Sequence, residues 1–216
     1  RQFFRQLRKE DAGSALRPVL RWAALPERGC SEVTLVSWDR HLLLAKAAGA
    51  LAANGINILS ADLFLREDGL VMDLFRVCTP SFEPVTSEKT IGSVNDLLAR
   101  ACSGEAIDFS KLIRARRDVE PPAWQDEFPV FAAVFNEPRR PHTTVEIQAA
   151  DRIGLLYDVF SAIGNLGLEI SHARIGTEKG AAVDILSVTD AAGGRIEDPA
   201  VIKALKQAVS KAISIP

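Results

Sequence analysis

The chain has 216 residues, 47% hydrophobic and 25% charged, the composition of a globular protein with apolar content for one or two cores. A net charge of -2 argues against nucleic acid or an anionic membrane as the main partner, and no apolar run is long enough to span a bilayer. Cys30, Cys78 and Cys102 are odd in number, form no C-x-x-C and imply a reducing, cytoplasmic setting.

Arg1 to Glu10 is a basic, helix-compatible run, and residues 1–16 read as the tail of an upstream domain or an N-terminal extension. The first residue is Arg, not Met, which fits a fragment of something longer. A first unit is expected over 17–113. Pro18 to Trp22 is a short strand, Pro26 to Gly29 a turn, and Glu32 to Ser37 an alternating strand. Asp39-Arg40 precedes a helix from about His41 to Asn54, with Leu42, Leu43, Leu44, Ala47 and Leu51 as core candidates. Asn54-Gly55 suits a left-handed helix end. Ile56 to Leu65 and Leu70 to Val77 form a hairpin around Arg66-Glu67-Asp68-Gly69. After a proline-containing loop, Ser87 begins a second helix, and Ile107 to Ile113 extends the helical layer without a firm place. Residues 114–127, polar and holding Pro121-Pro122, read as a linker.

The second unit, 128–216, repeats the plan. Pro129 to Val134 and Thr144 to Ala149 are strands. A helix over Ile153 to Leu166 places Leu155, Leu156, Val159, Phe160, Ile163 and Leu166 on one face. Leu168 to Gly176 and Ala181 to Thr189 form a hairpin. Asp198-Pro199 is a favourable start for the last helix. The match between units is gap-free over its most informative stretch. Asp39-Arg40, Gly55 and Ile58 recur as Asp151-Arg152, Gly167 and Ile170, 112 positions on (151 − 39), and Asp73 corresponds to Asp184. A repeat of this length is a duplicated domain, each half reading strand, strand, helix, hairpin, helix. A direct hairpin register sets Asp62 opposite Asp73, like charges face to face; either the register is off by one or a cation lies between them.

The turn Asp151-Arg152-Ile153-Gly154-Leu155 joins a strand to a helix. Asp151 has two readings: an N-cap for that helix, or an acceptor for a ligand's ammonium group. Gly154, bare of side chain, would leave backbone donors at the positive helix end open to a carboxylate. Arg152 reads as a solvated or edge cation, and Tyr157 and Asp158 as partly outward-facing. There is no D-x-D, no histidine pair with zinc spacing among His41, His142 and His172, and no Walker or dinucleotide fingerprint. Catalysis is therefore not expected in this chain, no cofactor or metal is called for, and a binding or regulatory module is the better class.

A strand ending in Asp-Arg-x-Gly-Leu-Leu, a helix ending Leu-Gly and a return strand with Asp-x-Leu-x-Val resemble the ACT domain. Two in series, with Asn136-Glu137 and Leu155-Leu156-Tyr157-Asp158, resemble the C-terminal part of the bacterial protein-PII uridylyltransferase/uridylyl-removing enzymes. The resemblance implies two α+β, ferredoxin-like (βαββαβ-type) units in tandem, antiparallel sheets with helices on one face of each. It also implies glutamine sensing that controls upstream nucleotidyltransferase and phosphohydrolase domains, with a PII-type protein as partner of the parent. Where the pattern expects glycine, the first unit has Leu42. The ligand residues expected are therefore Asp151, Arg152, Ile153, Gly154 and Leu155, with a weak first-unit site at Asp39 and Arg40. Two alternatives stand beside this: an ACT-type interaction module without a metabolite, which pairs as a homodimer or with a partner, and an amino-acid sensor of another enzyme or a transcription regulator.

Overall fold

The computed structural model describes residues 17–66, 68–117, 129–178 and 181–214. The expected tail at 1–16, residues 118–127 of the expected linker, and residues 67, 128, 179–180 and 215–216 lie outside the described residues. The first unit runs β1 (Val19–Leu25), β2 (Cys30–Trp38), α1 (Leu43–Ala52), β3 (Asn57–Asp62), β4 (Leu70–Cys78) and α2 (Glu88–Cys102). A further helix, α3 (Phe109–Arg117), takes in Arg114 to Arg117, which were expected in the linker. The second unit runs β5 (Phe131–Phe135), β6 (Thr143–Ala150), α4 (Leu155–Gly164), β7 (Glu169–Arg174), β8 (Thr177–Glu178), β9 (Ala181–Thr189) and α5 (Pro199–Ile213).

Both sheets are antiparallel, in the orders β1-β2-β4-β3 and β5-β6-β9-β7, with β8 paired to β9. This is the ferredoxin-like strand order expected of the α+β class. Its outer position beside β2 or β6 is filled by the strand that comes first, so the chain runs ββαββα. The reason is local in the first unit: a 3₁₀ turn at Pro26–Arg28 and Gly29 at φ 62 fold β1 directly back along β2. Helix starts follow the chemistry read from sequence. The Ser87 hydroxyl accepts from the Thr90 N–H at 3.3 Å, and the Asp198 carboxylate accepts from the Ala200 N–H at 2.8 Å ahead of Pro199. Gly55 and Gly167 end α1 and α4 with φ of 73 and 71, as expected of left-handed caps.

The hairpin register differs from the direct one by a single residue. Ile58 pairs with Val77 but Ser60 with Arg76, and Ile170 pairs with Val188 but His172 with Ser187. One bulged residue, Leu59 or Ser171, thus moves Asp62 opposite Leu74 and Arg174 opposite Ile185. The like-charge pairing of Asp62 with Asp73 is avoided. The inward row becomes Ile58, Ala61 and Leu63, while Leu59 and Leu65 are partly and largely exposed. In the second unit Ala173 and Ile175 face the core.

One continuous hydrophobic cluster joins both units. On α4, Leu155, Leu156, Val159, Phe160 and Ile163 are buried, and Leu166, beyond the helix end, is exposed. The units lie side by side, α1 against α4 and the edge of β3 beside that of β7, without a shared ladder. Small residues set the helix approach. A Cβ on Gly49 would come within 2.8 Å of the Phe109 ring and 2.9 Å of the Tyr157 ring, and a Cβ on Gly164 within 2.3 Å of Leu42 Cδ2. Tyr157, expected to face partly outward, instead tilts against Phe109 with ring centroids 5.6 Å apart.

Candidate ligand crevices between the repeats

The turn that follows the central strand occurs twice and is built alike. In the second unit the Leu155 N–H donates to the Arg152 carbonyl at 3.1 Å; in the first the Leu43 N–H donates to the Arg40 carbonyl at 3.0 Å. The residue before each helix is left-handed, Gly154 at φ 84 and Leu42 at φ 60. Leu42 thus holds the glycine conformation with a side chain attached, at a cost of about 1–2 kcal/mol. Its side chain lies over Gly164 of the other unit. Asp151 is not the cap of α4; Gly154 occupies that position, and the Asp151 carboxylate accepts from the Asn57 amide at 3.3 Å.

The arginine of each motif is structural. Arg152 Nη2 donates to the Ala212 carbonyl at 2.9 Å and Arg40 Nη1 to the Cys102 carbonyl at 2.9 Å, so each guanidinium closes the C-terminal end of the second helix of its own unit. Arg152 also pairs with Asp158 at 2.7 Å, and its side chain is only 8% exposed, so the solvated reading does not hold. Asp158 is half-buried, its side chain 14% exposed, and Arg117 at the end of α3 joins the same oxygen at 2.9 Å.

α3 also changes the surroundings of Gly154. Its Ile113 Cγ2 stands 2.6 Å, and Arg117 Nη2 3.1 Å, from where a Cβ on Gly154 would sit, and Arg117 Nε donates to the Ile153 carbonyl at 2.8 Å. The bare face of Gly154 is covered by the chain itself. The second-unit crevice, between this turn and Asn57–Ile58 of β3, holds a cavity of about 20 Å³. The reciprocal crevice, between Asp39–Leu42 and Glu169–Ser171 of the second unit, holds about 530 Å³. The weak first-unit position from sequence is therefore the roomy one.

Each crevice is backed by a buried carboxylate. Asp73 is 4% exposed and accepts from the Phe64 N–H; Asp184 is 1% exposed and accepts from the Gly176 N–H at 3.3 Å. Burial pushes both up to about 7, and the charges of Asp39 and Asp151 respectively push the same way. Glu169, across the first-unit crevice, is raised by desolvation and then by Asp39 and Asp190. From sequence Asp73 and Asp184 were matched repeat positions, and Asp73 one half of a like-charge pairing, but neither was a candidate site residue. Their signal was a carboxylate at an inward position of an otherwise apolar strand. Ile113 and Arg117 were missed as site residues; with Phe109 they recur at i, i+4 and i+8 on one face of α3. Among the described residues no three His, Cys, Asp or Glu side chains cluster as a metal site, and no helix is long and apolar enough to cross a membrane.

Residues 143–210 match the ACT domain family. The chain is 32% identical over 185 residues to the bifunctional uridylyltransferase/uridylyl-removing enzyme of Gluconobacter oxydans, covering 85% of this chain and 19% of that one. To the enzyme of the same name from Rhodospirillum rubrum it is 31% identical over 194 residues, covering 88% and 20%. The second unit thus matches the ACT domain, the first repeats its strand order, and the whole chain resembles the C-terminal regions of these enzymes. It spans about a fifth of the length of the relatives it matches. A crystal structure of aspartate kinase from Synechocystis aligns with TM-score 0.42 and 15% identity, over 84% of this chain and 27% of that one. Both turns face the edge strand of the other unit, so each crevice is shared by the two units.

Proposed function

We propose that the ACT pair is an amino-acid-responsive regulatory module, with glutamine as its ligand, in a cytoplasmic uridylyltransferase/uridylyl-removing enzyme. In that parent it reports to upstream catalytic domains that act on a PII-type signalling protein. One observation supports this most: two reciprocal crevices, each bounded by a helix N-terminus and a buried carboxylate and shared between domains. A zwitterion needs donors for its carboxylate and an acceptor for its ammonium, and both kinds of group stand there.

The roomy crevice admits a whole amino acid. There Asp39 and Asp73 are the ammonium acceptors, the backbone after Arg40 is the carboxylate donor, and Glu169 closes the far side. Binding at Asp151, Ile153, Gly154 and Leu155 requires α3 to withdraw from Gly154. Ligand on that side is thereby coupled to the segment that joins the two domains. Arg152 serves this second position by fixing the turn, through Asp158 and the Ala212 carbonyl.

A thermal-shift screen of the proteinogenic amino acids tests the reading, because a ligand of the folded state alone raises the melting temperature. Glutamine is expected to give the largest rise. A flat response across all of them would move the interaction-module reading ahead. That second reading has its own support: Phe131, Phe135, Val183 and Ile185 are 36–45% exposed on the second sheet's open face.

A further inference from the structure

The two sheets turn different faces to solvent. On the side away from the helices, the middle row of the second sheet reads Ala133, Glu146, Ile185 and Arg174 across β5, β6, β9 and β7. Ile185 is 40% exposed, as is Val183 one row along. Phe131 and Phe135, on either side of Ala133 in the outer strand, are 45% and 36% exposed. The matching face of the first sheet is charged. Arg21, Glu32, Arg76 and Asp62 stand there where the second sheet has Ala133, Thr144, Ser187 and Arg174. The first face thus suits water, and the second gathers apolar side chains of the kind that mark a protein contact.

The charges that remain on the second face say what covers it. Glu146 and Arg174 flank Ile185, one strand to either side, so about 10 Å separates their strands. Neither makes a hydrogen bond or an ion pair among the described residues. Opposite charges placed evenly about a central apolar residue make a self-complementary surface, in which each meets its opposite on a second copy. Stacked sheets keep their strand directions within about 30° of each other. A two-fold axis along β9 meets that requirement. It keeps each row level and lays β6 of one copy over β7 of the other. Glu146 of each copy then meets Arg174 of the other, and Val183 and Ile185 meet their own counterparts between the two ion pairs. The outer strand β5, with Phe131 and Phe135, falls beyond β7 and covers the seam where β3 lies beside it. An axis along the row would instead set Glu146 against Glu146 and Arg174 against Arg174, which like-charge repulsion disfavours.

We infer that two copies of the chain pair through the open face of the second sheet, about a two-fold axis along β9, with reciprocal Glu146–Arg174 contacts around Ile185. The inference does not rest on the amino-acid reading: Phe131, Phe135, Glu146, Arg174, Val183 and Ile185 line neither crevice.

Sedimentation velocity of the chain, without amino acids and at up to about 100 μM, tests it, since interfaces of ordinary size give dissociation constants from micromolar to picomolar. The wild type is expected to be a dimer. Ile185→Asp places a carboxylate at the two-fold axis and abolishes pairing. Glu146→Arg and Arg174→Glu set like charges together, and each weakens the dimer by about tenfold or more. The double variant Glu146→Arg/Arg174→Glu exchanges the charges and restores pairing to within about threefold of the wild type. All three side chains reach solvent, so the variants keep the fold, which far-ultraviolet circular dichroism checks. A wild type that stays monomeric at the highest concentration overturns the inference. A dimer indifferent to Ile185→Asp also overturns it, since pairing would then run through another surface, such as the free edges of β1 and β5. A double variant as weak as the single ones overturns it too, because Glu146 and Arg174 would then not meet across the axis.

Discussion

Replacing Gly154 by alanine tests whether α3 is seated as described. Two costs add. Alanine at φ 84 pays about 1–2 kcal/mol for the left-handed backbone. Its Cβ also falls 2.6 Å from Ile113 Cγ2, and Ile113 is 2% exposed with little room to yield, which costs a further 1–3 kcal/mol or so. At roughly 2–4 °C per kcal/mol for a chain of this size, the melting temperature falls by on the order of 10 °C. Gly154→Leu would be worse, so it is a poor probe of ligand binding alone. Ile113→Ala by itself costs about 2–4 kcal/mol through its cavity. In the double variant the overlap is gone while both other costs remain. The pair should therefore be less destabilised than the sum by about 1–3 kcal/mol in urea titrations of the four proteins. Strict additivity, within about 0.5 kcal/mol, would refute the placement of α3 over Gly154.

Asp73 and Asp184, each pushed up to about 7 from 3.8, bind a proton more tightly folded than unfolded. Stability therefore falls as pH rises from about 4 to about 7 and levels off above, by a few kcal/mol per group. Melting curves in choline buffers across this range should show the slope, and Asp73→Asn and Asp184→Asn should each flatten it; an unchanged profile would contradict the burial of both acids. Asp158→Asn leaves two guanidiniums sharing a neutral amide and should cost about 3–5 kcal/mol in urea unfolding, whereas a loss under about 1 kcal/mol would mean the pairs are solvated. Gly164→Ala drives a methyl toward Leu42 Cδ2, the tip of a flexible side chain, so its modest loss of stability should be recovered in Leu42→Ala/Gly164→Ala. No recovery would place the domain contact elsewhere.

The repeat carried most of the fold. Matched positions such as Gly55 with Gly167 and Asp39-Arg40 with Asp151-Arg152 were legible because cap and turn chemistry is local. The off-by-one hairpin was legible too, as a charge conflict at Asp62 and Asp73 that one bulged residue resolves. The site was less legible. Ile113 and Arg117 lie about 40 residues from Gly154, and nothing local to the turn announces that a distant helix covers it. The role of Arg40 and Arg152 at helix C-terminal ends was hidden for the same reason, since Cys102 and Ala212 are some 60 residues away. The room in the first-unit crevice was hidden because Leu42 stands where the pattern expects glycine, yet its side chain lies against Gly164 of the other unit.

The proposed function turns on an amino acid held between the two units, and isothermal titration calorimetry of glutamine into the wild type and Asp73→Asn tests that most directly. Asp73 is the buried carboxylate of the roomy crevice, and asparagine keeps its shape while removing the charge that an ammonium group requires. The account predicts saturable binding to the wild type and at least a tenfold loss, about 1.4 kcal/mol or more, in the variant. Equal affinity in both proteins, or no heat in either with every other amino acid equally silent, would contradict it.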